Sequence, residues 1–314
     1  MDTVLAINNS PYYYFKPSNQ RSIGFTLPFT DRIVSRLSDV MLLLRDALDI
    51  DFTPGVQLGS ESDRAILNKR KLRVMRRISE DKGIEYVLHL PDQMVPGIYV
   101  KNDLRQRVLG MLQGGHNKSV EDFQSEVMRR MESASYLNCR YAIMHLPNGR
   151  NEDRSKIEGY LSGKLRDCID EMGLKLCIEN CNNERHPYYG NIGNLMDLVG
   201  SLGSPYEVCF DYGHYLVERE NVDVGDVKRV SESTRVFHVH INDMLSDKHL
   251  LLGERPAGAD PRVLDEVENI YLNKVMRGIG HESRAFVLER NKPFSFEQLS
   301  RSVSLLFSSL LFDK

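Results

Sequence analysis

The sequence contains no run of apolar residues long enough to cross a membrane, which takes about 18 consecutive apolar residues. Its first ten residues, MDTVLAINNS, lack the basic start and the long apolar core of a signal peptide. These two absences argue against a membrane-bound or secreted chain. We therefore expect a cytoplasmic protein that has no membrane partner.

The sequence has few cysteines, and their spacing shows no paired motif. The chain has 5 cysteines, an odd number, and no CxxC pair, which argues against a disulfide framework and against a structural zinc knuckle. The formal net charge of -3 gives no global sign of nucleic-acid binding. No G-x-G-x-x-G motif follows the first apolar run, which argues against a doubly wound dinucleotide-binding sheet.

Short, β-rich apolar runs alternate with longer segments along the 314 residues. Their nearly continuous apolar character is typical of parallel strands that are covered by helices on the outside. Eight such units predict an α/β fold, a closed (β/α)8 TIM barrel. The predicted strands are Thr3–Ile7, Gly55–Leu58, Tyr86–His89, Tyr141–His145, Lys175–Glu179, Val208–Asp211, Val236–His240 and Ala285–Glu289.

The segments between the strands have helical periodicity. Apolar residues recur at helical spacing from Val120 to Met131 and from Phe296 to Leu310, the latter behind a capping box, Ser295-x-x-Gln298. No linker or break in composition divides the chain, so we predict a single domain over residues 1–314. The longest connection, Pro91–Lys118, follows the third strand and is predicted to form a long loop over the mouth of the barrel.

Strands three to eight each end in histidine or a carboxylic acid, namely His89, His145, Glu179, Asp211, His240 and Glu289. Side chains alternate along a strand, so Cys177 and Glu179 share one face, as do Cys209 and Asp211. At the C-terminal ends of barrel strands these groups would converge on one cavity. Buried carboxylates are costly unless a cation pairs with them, and a metal ion is the simplest candidate.

The successive motifs CIEN, CFDYGH, VFHVHIND, DKHLLLGE and VLER resemble those of the xylose isomerase-like barrel superfamily. The resemblance extends from Tyr86 to Arg290. The superfamily includes sugar and sugar-phosphate isomerases and epimerases, inosose dehydratases and isomerases, dehydroshikimate dehydratases, and apurinic-site endonucleases. One departure is Gly-Glu-Arg-Pro at residues 253–256, where the family usually has a Gly-Glu-Gly-like turn, which puts a substrate role of this loop in doubt.

The resemblance implies a metal shell and further polar residues around it. The implied metal ligands are Glu179, Asp211, His240 and Glu289. His214 falls on a position that contacts substrate or a further metal, and His249 falls on another polar position at the mouth. Both histidines of His238-x-His240 should point inward, and we favour His240 as the ligand because it is nearer the mouth. His238 is then expected one layer deeper, in a hydrogen bond.

Three carboxylates and one imidazole suit one divalent ion, Mn, Mg, Co or Zn, with open positions for substrate oxygens. Such an ion polarises a carbonyl, and Glu179 and Glu289 are predicted to transfer protons as catalytic residues. The preferred function is therefore a metal-dependent isomerase, epimerase or dehydratase. Its small-molecule substrate would be a sugar, a sugar phosphate or a cyclic polyol.

Two other functions remain open. The first is a multi-zinc apurinic-site endonuclease, because His89, His145, His214, Asp247 and His249 stand near the additional zinc positions of such enzymes. The net charge and the lack of a clear DNA-penetrating loop favour the small-molecule enzyme over this nucleic-acid partner. The second is a barrel that only binds a ligand, which would need a broken metal set. The aromatic run of residues 12–15 suits a sugar face and loop packing equally well. The oligomeric state is not determined.

Overall fold

The computed structural model describes residues 3–8, 30–59, 63–91, 120–146, 154–181, 190–217, 223–242, 249–256, 258–277, 284–289 and 295–311. The aromatic run at 12–15, the predicted loop after the third strand, apart from Pro91, and Asp247 lie outside these residues. No helix among the described residues is long and apolar enough to span a membrane.

Eight parallel strands form a closed barrel in chain order, with the first strand paired to both the second and the eighth. The predicted (β/α)8 fold is therefore confirmed. The strands are β1 (Val4–Asn8), β2 (Thr53–Leu58), β3 (Glu85–His89), β4 (Tyr141–His145), β5 (Lys175–Glu179), β6 (Tyr206–Asp211), β7 (Val236–Val239) and β8 (Ala285–Leu288). The seventh and eighth strands were each predicted one residue too long. His240 and Glu289, predicted as their last residues, directly follow β7 and β8 instead.

Helices surround the barrel. They are α1 (Thr30–Leu48), α2 (Asp63–Ile66), α3 (Lys69–Lys82), α4 (Val120–Tyr136), α5 (Arg154–Leu161), α6 (Lys164–Glu171), α7 (Ile192–Leu202), α8 (Tyr212–Leu216), α9 (Val224–Ser233), α10 (Pro261–Ile270) and α11 (Phe296–Leu311). The predicted capping box of α11 is present: the Gln298 amide NH donates to Ser295 Oγ (3.1 Å), and the Ser295 amide NH donates to Gln298 Oε1 (2.8 Å).

The apolar residues form two separate cores. The larger core lies between the barrel and the helices, and the smaller one fills the inside of the barrel. The inner core consists of Val4, Ala6, Val87, Tyr141, Ile143, Cys177, Cys209, Val236, Ala285 and Val287. We call this inner core the apolar plug. Its residues alternate with outward-facing ones, so the next inward position toward the C-terminal end of each strand lies directly above the plug.

A π-helical turn supports the region behind β6. Helix α10 continues as a π-helix over Tyr271–Met276, and the ring of Tyr271 stacks on Tyr212 with a centroid distance of 4.5 Å. The Tyr212 hydroxyl donates to the backbone carbonyl of Val267 (3.1 Å). These contacts fix the start of α8, the short helix that follows Asp211.

Candidate metal centre

The polar strand ends converge above the apolar plug, as the alternation of the strands predicts. Six histidines and three carboxylates meet there: His89, His145, Glu179, Asp211, His214, His238, His240, His249 and Glu289. All of the predicted site residues except Asp247, which is outside the described residues, therefore lie in one cluster. Their roles as ligands or catalytic groups remain predictions.

Glu179 is at the centre of the cluster and is almost fully buried. Its Oε2 lies 3.1 Å from His89 Nε2 and 2.9 Å from His145 Nε2. Its Oε1 lies 3.2 Å from His214 Nδ1 and 3.3 Å from His238 Nδ1. Burial raises the pKa of Glu179, but the charges of His145 and His238 outweigh burial and hold the pKa well below its usual value. Each oxygen of this carboxylate therefore faces its own pair of imidazoles.

Asp211 divides its two oxygens between backbone and cluster. Oδ1 accepts the amide NH of His214 (2.7 Å) and caps α8. Oδ2 lies 2.9 Å from His240 Nε2 and 3.2 Å from His214 Nδ1. Burial raises the pKa of Asp211, and the charges of His214 and His240 reverse this shift, so that the pKa lies below its usual value. The cap fixes the carboxylate while leaving one oxygen for a ligand.

Glu289 and His249 form the side of the cluster that follows β7 and β8. Glu289 Oε2 lies 3.3 Å from His238 Nδ1, 3.5 Å from His249 Nδ1 and 3.9 Å from His240 Nε2. The ring of His249 stacks on His240 with a centroid distance of 4.1 Å. His249 has a left-handed backbone (φ 45°), a conformation that residues other than glycine adopt infrequently and that recurs at functional sites.

Gly213 leaves room for the ring of His240. A Cβ atom on Gly213 would lie 1.9 Å from His240 Cε1 and 2.1 Å from His240 Nδ1. The absence of a side chain at residue 213 is therefore a condition for the observed position of this imidazole. The FDYGH motif contributes this glycine as well as Asp211 and His214.

Two asparagines missed by the sequence reasoning hold the site residues in place. Asn180 Nδ2 donates to the backbone carbonyl of Asp211, and Asn180 Oδ1 accepts the amide NH of Asp211 (both 2.8 Å). Asn242 Nδ2 donates to the Gly213 carbonyl (2.8 Å), and Asn242 Oδ1 accepts the amide NH of His249 (3.0 Å). Asn180 directly follows β5 in CIEN, and Asn242 is the third residue after β7 in HIND, so their motifs are the available signal.

His238 was predicted to lie one layer below His240 in a hydrogen bond; its Nδ1 lies 3.3 Å from Glu179 Oε1, 3.5 Å from Asp211 Oδ2 and 3.3 Å from Glu289 Oε2. It is fully buried, and its Nε2 lies 2.9 Å from Nε2 of Gln57 on β2. Burial lowers the pKa of His238, but the charges of Glu179 and Glu289 outweigh burial and hold the pKa well above its usual value. Sequence reasoning did not identify Gln57, although it is a polar residue between the apolar Val56 and Leu58 of β2.

The donor set fits divalent metal ions. Among the described residues, four groups of three side chains place their donor atoms within 4.8 Å of one another: His214, His240 and His249; His89, Glu179 and His238; His145, Glu179 and His214; Asp211, His240 and Glu289. His240 Nδ1 is buried without a hydrogen-bond partner among the described residues. Buried carboxylates beside imidazoles are the ligand types that Zn²⁺, Mn²⁺ and Co²⁺ bind.

The Gly-Glu-Arg-Pro segment at residues 253–256, which differs from the usual family motif, makes contacts outside the cluster. Arg255 Nη2 lies 2.6 Å from Asp265 Oδ1 and 3.0 Å from Glu268 Oε1, both on α10. Glu254 Oε2 accepts the amide NH of Leu251 (3.1 Å). The contacts of Arg255 and Glu254 thus tie this loop to helix α10 and to its own backbone.

Comparison with known proteins identifies the fold type. The model of the xylose isomerase-like TIM barrel family matches residues 45–270. No curated protein matches the sequence. Similar solved structures include the TTHB071 protein from Thermus thermophilus soaked with ZnCl2, at 18% identity over 100% of both chains and a TM-score of 0.57.

Two further similar structures are an epimerase and an endonuclease. D-psicose 3-epimerase in the presence of D-fructose is 12% identical, over 98% of this chain and 99% of that chain, with a TM-score of 0.62. Endonuclease IV from Thermus thermophilus is 18% identical, over 86% of this chain and 94% of that chain, with a TM-score of 0.50. At these identities the likeness shows the fold alone.

Proposed function

The chain belongs to the xylose isomerase-like TIM barrel family, and we propose that it is a metal-dependent phosphodiesterase whose site holds more than one divalent ion and whose substrate is DNA with an abasic site. The observation that carries the proposal is the division of the Glu179 carboxylate between two pairs of imidazoles. The proposed function is the one that the sequence analysis gave as the alternative to an isomerase or epimerase.

The contacts of Glu179 favour more than one ion. His89 and His145 share Oε2, whereas His214 and His238 approach Oε1. Glu179 would thus be able to hold more than one ion, together with the imidazoles beside each of its oxygens. The cluster also offers more donor side chains than the four that a tetrahedral zinc site needs, or the three of a catalytic site with an open position.

The charge of such a site favours an anionic substrate. Glu179, Asp211 and Glu289 carry one negative charge each, and two or more dications exceed that total. Bound divalent ions supply Lewis acidity, which activates water and neutralises charge on a phosphate group. The excess positive charge therefore suits a phosphodiester better than a neutral polyol.

The residues of the chain divide the remaining tasks. His89, His145 and Glu289 have side-chain exposures of 14%, 10% and 11%, whereas Glu179 has 1%, so the substrate approaches past the first three. Glu179 is enclosed by imidazoles and is assigned to hold ions. Glu289 is more accessible and is assigned to accept the proton of the attacking water, while the P–O bond to the leaving deoxyribose oxygen breaks and that oxygen takes a proton from solvent.

A second candidate is the isomerase or epimerase of a small sugar, sugar phosphate or cyclic polyol. The observation that favours it is the group of Asp211, His240 and Glu289, which forms a shell for one ion without His89 or His145. Glu179 and Glu289 also both lie 3.3 Å from His238 Nδ1, so the two carboxylates predicted to transfer protons lie close together.

Metal quantification tests the proposal directly. The full chain, purified without added metal and dialysed, is expected to retain at least two ions and to nick a duplex that contains one abasic site. His145→Ala is expected to lose one ion together with nicking. The matched control, Cys139→Ala, removes a buried thiol that precedes β4 at the opposite end of the barrel, and it should change neither.

The opposite result supports the second candidate. One ion per chain, an unchanged ion count in His145→Ala, and turnover of a ketohexose such as D-fructose without nicking would overturn the phosphodiesterase assignment.

A further inference from the structure

A buried polar pair crosses the inside of the barrel beneath the carboxylates. Gln57 on β2 and His238 on β7 are both fully buried, and their side-chain nitrogens are 2.9 Å apart. The inner apolar core lies on the side of this pair that faces away from the carboxylates. Burying polar side chains there costs free energy unless they are hydrogen-bonded, and Gln57 Oε1 and His238 Nδ1 have no hydrogen-bond partner among the described residues.

The other ring nitrogen of His238 lies at nearly equal distances from three carboxylates. His238 Nδ1 is 3.3 Å from Glu179 Oε1, 3.5 Å from Asp211 Oδ2 and 3.3 Å from Glu289 Oε2. Strong hydrogen bonds from ring nitrogens to carboxylates are about 2.7–3.2 Å long, so none of the three contacts is of that kind.

These distances match those between ligands of one ion. Two donor atoms bound at about 2.0–2.2 Å, and separated by an angle between a right angle and the tetrahedral angle, lie about 2.8–3.6 Å apart. All three contacts of His238 Nδ1 fall within this range. The spacing is therefore that of a nitrogen which shares a cation with the carboxylates.

We propose that His238 binds a divalent ion through Nδ1, as a protein ligand additional to Glu179, Asp211, His240 and Glu289, and that Gln57 orients its ring. The inference rests on the metal dependence in the proposed function but not on the substrate. A ligand imidazole carries its proton on the other nitrogen, which must then donate to an acceptor.

Gln57 is suited to that second role. An amide presents a donor or an acceptor to the same neighbour by rotating through 180° about its last bond. Gln57 Oε1 is buried and has no hydrogen-bond partner among the described residues. When Nδ1 binds an ion, this oxygen is able to accept the proton on His238 Nε2. Gln57 is thus a positioning residue that acts through His238.

Titration of the metal-free full chain with Co²⁺ tests the assignment. The visible absorption of bound Co²⁺ reports the number and type of its ligands, and competition with a chelator gives its dissociation constant. His238→Ala is expected to raise the dissociation constant on the order of 100-fold or more and to change the spectrum. Gln57→Leu should raise it about 10-fold, the lower end of the usual effect of losing such a partner.

A second variant separates ligation from mere positioning. His238→Asn keeps a polar group that hydrogen-bonds the carboxylates but removes the imidazole ligand, so it should also change the spectrum. If His238→Ala, or His238→Asn where the alanine variant does not fold, binds Co²⁺ with wild-type affinity and spectrum, the assignment is wrong.

The outcomes also distinguish this inference from the proposed function. A wild-type chain that binds no Co²⁺ overturns both. A chain that binds Co²⁺ in a His238-dependent way but does not nick abasic DNA overturns only the phosphodiesterase.

Discussion

The inside of the barrel has two layers with opposite chemistry, built from the same strands. In the lower layer Ile143 and Cys177 pack in the inner apolar core. Two residues further along β4 and β5, His145 and Glu179 form part of the polar cluster. On these strands the residues that stabilise the barrel and the residues of the candidate site are therefore only two positions apart on the same inward face.

The two layers differ in how they are stabilised. Burying the apolar side chains of the lower layer stabilises the fold by itself, at roughly 25 cal/mol per Å² of apolar surface. The upper layer buries Glu179 and Asp211, which costs free energy unless cations compensate. Substitutions in the upper layer should therefore change activity, and substitutions in the lower layer should change stability.

The largest effect on activity is expected from the upper layer. Glu179→Gln keeps the volume of the side chain but removes the anionic ligand, so turnover should fall on the order of 1000-fold or more. Glu289→Gln should abolish turnover as well. Circular dichroism should show a folded protein in both cases. Activity that persists at saturating metal in either variant would rule out the role assigned to that residue.

Ile143→Ala is the matched change in the lower layer. Removing this buried side chain from the plug should reduce the free energy of unfolding by about 2–5 kcal/mol. Denaturant titration measures the loss. Turnover per folded molecule and the number of bound ions should match those of the wild type. A reduced ion count would show that the two layers are not independent.

The stability of the metal-free protein should fall both at acid pH and at alkaline pH, which gives its pH profile an acid limb and an alkaline limb. The pKa values of Glu179, Asp211 and Glu289 are lowered, so their stabilisation is present above the ordinary carboxyl pKa and is lost as the pH falls through the folded values. The pKa of His238 is raised, so its stabilisation is complete below 6.5 and is lost as the pH rises through the folded value.

Thermal melts across pH measure both limbs. Tm should be highest in weak acid and fall by a few degrees on each side, since about 1 kcal/mol shifts the Tm of a chain of 314 residues by roughly 1.5 °C. His238→Asn serves as the control: it should lose the alkaline limb, and its acid limb should become smaller but persist, because the charge of His238 lowers the pKa of Glu179 and Glu289 while His214 and His240 lower that of Asp211. An unchanged alkaline limb in this variant would assign it to another group.

The smallest effect is expected outside both layers. Arg255→Ala removes the partly exposed ion pairs to Asp265 and Glu268 and should cost at most about 1 kcal/mol of stability. Turnover should not change, because the described contacts of Arg255 are with its own loop and helix α10 rather than with the cluster. A drop in kcat would indicate that this loop contacts the substrate.

The barrel was predictable because its signals are local. Each apolar run corresponds to a strand, and alternation correctly paired Cys177 with Glu179 and Cys209 with Asp211 on the inward face. The capping box at Ser295 was also correct. The π-helical turn at Tyr271–Met276 had no such signal, since it depends on how Tyr271 packs against Tyr212.

The site was predictable as a set of residues but not as a set of contacts. The convergence of Glu179, Asp211, His240 and Glu289 follows from their positions at strand ends. That His89 and His145 approach the same oxygen of Glu179 depends on how the strands are staggered when the barrel closes, which local patterns do not encode. For the same reason Gln57, across the barrel from His238, was not identified.

Gly213 provides a criterion for reading distant sequences. Any residue other than glycine there would place its Cβ 1.9 Å from His240 Cε1, so the imidazole would have to leave its present position. A chain that keeps Asp, His and Glu at the matching strand ends but has alanine at this position would satisfy a search for the donor residues and still fail to assemble them. A single missing methyl group is therefore as informative about function as the ligands themselves.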